Sequence, residues 1–183
     1  GGANWPPSSY DPETHLLYVC AHDGISAFSS DGETSFMQPT PGTRYAQGTF
    51  GRAGIRVRGI FAAVDLTTNK LAWRQQWSEM CYSGSIVTKG GIVFVGRNDS
   101  RFTALDKDNG KLLWDFPMDA AVNATASTFE HKGKQYLVVL AAGSFFPGTK
   151  HGDSLWLFTL DGKFQPTSGN SGATSAPRTS AGD

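Results

Sequence analysis

The sequence predicts an all-β fold made of β-propeller blades, about three of them, and three observations carry that expectation. The first is an internal repeat. Ala63-Val64-Asp65-Leu66-Thr67-Thr68-Asn69-Lys70-Leu71-Ala72-Trp73 returns as Ala104-Leu105-Asp106-Lys107-Asp108-Asn109-Gly110-Lys111-Leu112-Leu113-Trp114, so Asp65 to Asp106 and Trp73 to Trp114 are both 41 residues apart. A period near 40 with short strands marks a four-stranded propeller blade. The second is a set of short runs of strand formers bounded by Gly, Asp or Asn, in a chain with 22 Gly and 9 Pro. The third is the absence of any sustained apolar stripe at helical spacing.

The elements follow in order. Leu16-Leu17-Tyr18-Val19-Cys20, Ile92-Val93-Phe94-Val95, Gln135-Tyr136-Leu137-Val138-Val139-Leu140 and Ser154-Leu155-Trp156-Leu157-Phe158-Thr159-Leu160 each have strand length. In the repeat, a strand ends at the Asp, a tight turn follows, and a return strand starts at the Lys. Asn69 and Gly110 fall where such a turn wants positive φ. The terminal Trp is placed to pack between neighbouring sheets. Weaker echoes occur at Ala27-Phe28 before Asp31-Gly32 and at Leu157-Phe158 before Asp161-Gly162. One blade cannot bury both faces, and the repeats here are too few for a closed ring, so part of the propeller is expected elsewhere.

Two stretches read as irregular. Residues 34–58 carry Pro39, Pro41, Gly42, Gly48, Gly51 and Gly54, with Arg44, Arg52, Arg56 and Arg58 and no acidic side chain. That is a solvated loop, or one that covers a site or docks an acidic partner. Residues 165–183 hold no aromatic residue and no Leu, Ile, Val or Met, so they are expected to form a flexible Ser/Thr/Gly/Pro-rich tail or linker after a propeller unit at 1–164.

Composition narrows the function. Lys plus Arg equals Asp plus Glu at 16 each, and the formal charge of zero argues against a nucleic-acid or anionic-membrane binder. No run approaches the ~18 apolar residues of a membrane span. Cys20 and Cys81 are not a disulfide framework; spacing leaves pairing open, and buried free thiols are the expectation. The Gly-Gly start, without Met, fits a removed leader or a piece of a longer chain. His15, His22, His131 and His151 show no metal-ligand spacing. Gly48, Gly51 and Gly54 do not form a dinucleotide loop. Asn98-Asp99-Ser100 and Asn123-Ala124-Thr125 match a glycosylation tripeptide that is common by chance. Ser144, Phe145 and Phe146 follow a strand and either face a binding site or plug the sheet, plugging being the expectation.

The stretch 81–160 resembles the C-terminal part of quinoprotein dehydrogenases, the pyrroloquinoline quinone (PQQ) enzymes, of the quinohaemoprotein type. The pieces are Ser83-Gly84-Ser85-Ile86-Val87-Thr88-Lys89-Gly90-Gly91, the Trp repeat, Gly133-Lys134-Gln135-Tyr136, and Gly148-Thr149-Lys150-His151-Gly152-Asp153. The opening Gly1-Gly2-Ala3-Asn4-Trp5-Pro6-Pro7 with Tyr10-Asp11-Pro12 is similar too. The resemblance implies an eight-bladed ring with Trp-docking repeats. It also implies periplasmic oxidation of a primary or secondary alcohol or a sugar, with hydride passing to the quinone and a carboxylate taking the hydroxyl proton.

For this chain the resemblance implies cofactor-binding roles at Asn4, Trp5 and Tyr82. Asn4 would offer a neutral amide to a quinone oxygen or carboxylate. Tyr82, where methanol dehydrogenases carry a stacked tryptophan, would offer a π-face. No catalytic residue and no metal ligand of this chain matches: the base and the ligands of Ca²⁺ or a lanthanide would come from earlier blades. The implied partners are the N-terminal remainder of the propeller, a cytochrome c acceptor (in some members a linked haem c domain) and a small alcohol. The alternative is a non-enzymatic propeller scaffold of the outer-membrane assembly lipoprotein type, or a remnant with no activity of its own. The scaffold would share the repeat but would leave Asn4-Trp5 and the Gly-Thr-Lys-x-Gly-Asp segment unexplained.

Overall fold

The computed structural model describes residues 1–29, 49–163 and 178–179 of the 183-residue chain. Among them there are strands and no helix, so none is long and apolar enough to cross a membrane. The strands are β1 (Gly2–Ala3), β2 (Ser9–Asp11), β3 (Leu16–Asp23), β4 (Ser26–Ser29), β5 (Thr49–Arg52), β6 (Arg58–Asp65), β7 (Lys70–Trp77) and β8 (Ser85–Val87). They continue as β9 (Ile92–Arg97), β10 (Arg101–Asp106), β11 (Leu112–Pro117), β12 (Ser127–His131), β13 (Lys134–Ala141), β14 (Ser154–Phe158) and β15 (Arg178–Thr179). The four expected runs fall on β3, β9, β13 and β14, except that Thr159 and Leu160 of the last run lie beyond the end of β14.

Three antiparallel sheets follow one another along the chain, each a blade. The first runs β2-β3-β6-β7, with β1 extending the β2 side of β3. The second runs β8-β9-β10-β11, with β15 added beyond β11. The third is β12-β13-β14, and β14 has no strand on its outer side among the described residues. β4 and β5 pair with each other. The irregular stretch expected at 34–58 is thus corrected in part: β5 and the first residue of β6 fall inside it. Residues 34–48, and the tail apart from β15, lie outside the described residues.

The repeat maps onto matching hairpins. β6–β7 and β10–β11 slip register at Ala63/Val64 and at Ala104/Leu105, the same repeat position, so the sequence repeat carries a bulge with it. Each turn is held by its Asp. The Asp65 carboxylate accepts the Thr67 hydroxyl at 2.6 Å, the Thr68 hydroxyl at 2.8 Å and both backbone N–H groups at 2.8 and 3.3 Å. These bonds, the Thr67 hydroxyl first, hold its pKa down to about 2. Asp106 accepts the N–H of Asp108 and Asn109 at 2.9 and 3.2 Å. Asn69 and Gly110 have φ of 55° and 74°, as the turn requires.

Two cores lie between successive sheets. Leu16, Tyr18, Cys20, Phe61, Ala63, Trp73, Val93, Val95 and Leu105 fill the first. Phe102, Phe116, Met118, Val122, Leu137 and Val139 fill the second, with Phe94, Trp114, Trp156 and Phe158 against them. The second sheet therefore buries both faces, which is why β10 is buried at four consecutive positions. The outer face of the third sheet differs. Phe129, Leu140, Leu155 and Leu157 stand 40–71% exposed, and cross-strand pairs set Leu140 beside Leu155.

The cysteines correct an expectation. Cys20 and Cys81 form a disulfide, with Cα atoms 5.4 Å apart, and are not free thiols. The cause is a close backbone crossing. Gly59 lies opposite His22, and a Cβ on it would stand 2.2 Å from the Glu79 carbonyl oxygen and 2.7 Å from the Cys81 nitrogen. Without that side chain, the segment leaving β7 runs over the end of β6 and delivers Cys81 to Cys20 on β3.

Candidate functional site

In an antiparallel blade, the chain entering the first strand and the loop joining the second to the third lie at the same end. Asn4 and Trp5 enter β2, residues 81–84 enter β8, and residues 118–126 enter β12. The loops at 98–100 and 142–153 join β9 to β10 and β13 to β14 at that end. Residues far apart in sequence converge there for this topological reason.

Asn4 is exposed, and its side-chain oxygen accepts the Trp5 backbone N–H at 2.8 Å. Trp5 is 64% exposed. Its indole N–H donates to the Tyr82 hydroxyl at 2.6 Å, and the two rings meet edge-on with centroids 5.8 Å apart. Tyr82 is only 4% exposed. Phe146 stacks on it at 5.4 Å with the planes 26° apart. So Tyr82 is the inner member of a three-ring cluster, and the accessible rings are Trp5 and Phe146. The expectation that residues 144–146 plug the sheet is overturned: Phe145 is 91% and Phe146 58% exposed. The hairpin-end loop between β13 and β14 carries them out to the site instead.

Behind the rings lies a polar frame. Asn123, buried, donates through Nδ2 to the Tyr82 carbonyl at 2.9 Å and to Asn98 Oδ1 at 2.7 Å. Its Oδ1 accepts from the Thr149 hydroxyl at 3.1 Å, whose oxygen also accepts the Ser144 N–H at 2.8 Å. The Ser83 N–H donates to Cys20 Sγ at 3.4 Å, so the disulfide abuts the residue after Tyr82. Sequence reasoning noticed Asn98 and Asn123 only as tripeptide matches. The repeat held a better signal: Asn123 stands 41 residues after Tyr82, at the same blade-entry position. Phe146 had no such signal, because its loop is not part of the repeat.

Among the described residues no three His, Cys, Asp or Glu side chains converge as a metal site. The site supplies accessible ring faces and a neutral amide, which can receive a planar ligand that carries hydrogen-bond acceptors.

Residues 1–137 match the family model described as glucose/ethanol/alcohol dehydrogenase, β-propeller domain, the PQQ family. The quinoprotein alcohol dehydrogenase PedE of Pseudomonas putida is 29% identical over 179 residues, covering 87% of this chain and 27% of that protein. The 1-butanol dehydrogenase (cytochrome c) of Thauera butanivorans is 34% identical over 145 residues, covering 74% of this chain and 21% of that protein. Among solved structures, the quinohemoprotein alcohol dehydrogenase of Comamonas testosteroni superposes with a TM-score of 0.74 at 26% identity, over 93% of this chain and 28% of that one. The quinohemoprotein alcohol dehydrogenase ADHIIG of Pseudomonas putida superposes at 0.79 with 24% identity, over 97% of this chain and 28% of that one, a likeness of fold. The chain spans about a quarter of the length of the curated relatives it matches. With a family match over residues 1–137 and successive blades that follow the 41-residue repeat, this chain belongs to the PQQ family of glucose, ethanol and alcohol dehydrogenase β-propellers.

Proposed function

We propose that this chain is the C-terminal portion of a PQQ-dependent dehydrogenase that oxidises a primary or secondary alcohol, or a sugar, in the periplasm. The observation that carries this reading is the cluster of Asn4, Trp5, Tyr82 and Phe146 at one end of the blades of a PQQ-family chain. The alternative of a scaffold without cofactor is not favoured, since the named relatives are dehydrogenases.

The residues fit part of a quinone site. Trp5 and Phe146 offer ring faces to a planar molecule, worth roughly 0.5–1.5 kcal/mol per good aromatic pair beyond area burial. The Asn4 amide offers donors for a quinone oxygen or carboxylate. Tyr82 fixes Trp5 through its hydroxyl and supports Phe146 from below. When bound, PQQ supplies the two-electron oxidant for the alcohol. The catalytic base and the ligands of Ca²⁺ or a lanthanide belong to the N-terminal remainder of the propeller. That remainder also covers the edge of β14 that has no strand beside it among the described residues, and the apolar face at Leu140, Leu155 and Leu157. The electron acceptor is a cytochrome c, either linked through the 165–183 segment with its haem c or separate.

The test uses the full-length protein stripped of cofactor and titrated with PQQ, following tryptophan fluorescence. Saturable quenching is expected, with affinity reduced about tenfold by Trp5→Ala and several-fold by Asn4→Ala. Uptake of PQQ unchanged by both substitutions would remove this end of the blades from the cofactor cavity.

A further inference from the structure

Asn123 does something at the site that neither family membership nor the ring cluster assigns. It sits at the blade-entry position of the third sheet, as Tyr82 does in the second, and its side chain is one of few buried polar groups. All three hydrogen bonds of its side chain lead to the site. Its two N–H bonds reach the Tyr82 carbonyl and Asn98 Oδ1, at 2.9 and 2.7 Å. Its oxygen takes the Thr149 hydroxyl at 3.1 Å. The amide's orientation is fixed chemically, because a backbone carbonyl can only accept.

Thr149 closes the base of the loop that carries Phe145 and Phe146. Its hydroxyl oxygen accepts the Ser144 N–H at 2.8 Å, and its own N–H donates to the Ser144 carbonyl at 3.2 Å. Between them Gly148 N–H reaches the Phe145 carbonyl at 3.1 Å. One buried amide thus couples three separate elements: the backbone of Tyr82, the β9–β10 turn and the Phe146 loop. A carboxamide buried and hydrogen-bonded in this way does not offer itself as a glycosylation acceptor.

We infer that Asn123 is a positioning residue for the quinone site: its amide sets the Phe146 loop against Tyr82 and so fixes the aromatic face offered to the cofactor. This inference rests on the proposed PQQ reading. The physical cost of breaking it is an unsatisfied buried carbonyl at Tyr82 and a loop free to swing.

The experiment uses the full-length protein stripped of cofactor, titrated with PQQ, in three forms: unmodified, Asn123→Asp and Thr149→Val. Asn123→Asp puts a carboxylate against two acceptors. PQQ affinity is expected to fall about tenfold at pH 8. It should recover in part as the pH drops, because burial raises that carboxyl's pKa and the protonated form donates again. General damage to packing would not recover that way. Thr149→Val leaves the Tyr82 contact intact and cuts only the loop, so it guards against a folding failure in the first variant. It should weaken PQQ about threefold and speed amide exchange at residues 144–148. Unmodified protein that takes up PQQ while both variants match it within twofold, at either pH, overturns the inference alone. Unmodified protein that takes up no PQQ overturns the proposed function, and this inference with it.

Discussion

Trp73 and Trp114 occupy the same place in the repeat, yet their surroundings differ. Trp73 is 8% exposed. Its indole N–H donates to the Lys107 carbonyl at 2.9 Å, and its ring lies against Gly110 of the next sheet's outer turn. Gln75, two residues on, donates to the Gly110 carbonyl at 2.8 Å. Tyr18 donates to the same Lys107 carbonyl at 3.1 Å, and the Lys107 ammonium reaches Asp11 at 2.6 Å. Both indoles have aromatic neighbours, Tyr18 and Phe61 at 5.9 Å around Trp73 and Phe116 at 5.6 Å, Phe158 at 5.4 Å and Phe102 at 6.3 Å around Trp114. With Leu113, Thr159, Leu160 and Gly162, Trp114 lines an open cleft of about 1340 Å³ between the second and third sheets. The lesson is that the motif supplies the indole, but the neighbouring sheet's outer turn decides whether it docks. The second sheet has an outer strand, β11, to hold that turn in place; the third has no described counterpart beyond β14.

Three experiments on the full-length protein bear on this contrast. The largest effect is expected from the disulfide, which clamps the first interface. Closing a loop across a sequence separation of 61 residues is worth about 4 kcal/mol in the chain-entropy account. The urea midpoint should fall accordingly in the Cys20→Ala/Cys81→Ala variant, and a midpoint equal to the unmodified protein's would show that the sheets hold without the clamp. Next comes Gly110→Ala. Its Cβ would lie 2.5 Å from the Trp73 ring at a φ of 74°, a combined clash and backbone strain of about 3 kcal/mol. Gly162→Ala meets only Thr159 atoms at 3.0 Å and beyond, and should cost about 1 kcal/mol or less. Equal losses at the two glycines would mean that both indoles are docked alike.

The smallest effect concerns pH. The Lys107 ammonium, first among several hydrogen bonds, holds the Asp11 pKa down from 3.8 to about 2, and Asp11 in turn pushes Lys107 above its ordinary value. A carboxyl with a lowered folded pKa stabilises fully above its unfolded value, so the contribution is complete above about pH 4 and fades as pH falls from 3.8 toward 2. Asp11→Asn should flatten the acid limb of the urea-midpoint profile over that window. An unchanged limb would show that the pair across the first interface contributes nothing to acid stability.

Much of the fold was legible in the residues. The strands at 16–20, 92–95, 135–140 and, two residues too long, 154–160 were visible because alternation and β-branched or aromatic content are local properties. The turns at Asn69 and Gly110 were visible because a positive φ selects few residue types. The site was only partly legible. Asn4, Trp5 and Tyr82 were singled out by resemblance, and the structure brings Trp5 and Tyr82 into hydrogen-bond contact. For Phe146 a place at the site and a plug in the sheet were both open, and plugging was favoured, because nothing in the loop's own residues says which way it projects.

The residues alone encode much of each blade: several strand positions, the turn chemistry, the bulge that travels with the repeat, and the indoles bound for the interfaces. Each depends on neighbours a few residues away. The meetings between distant segments come from the way the sheets assemble. Cys20 finds Cys81 because Gly59 lets the backbone pass. Asn123 finds Tyr82 and Thr149 because blade-entry segments and hairpin loops share one end. Such contacts depend on how successive sheets stack, and no local pattern of residues encodes that.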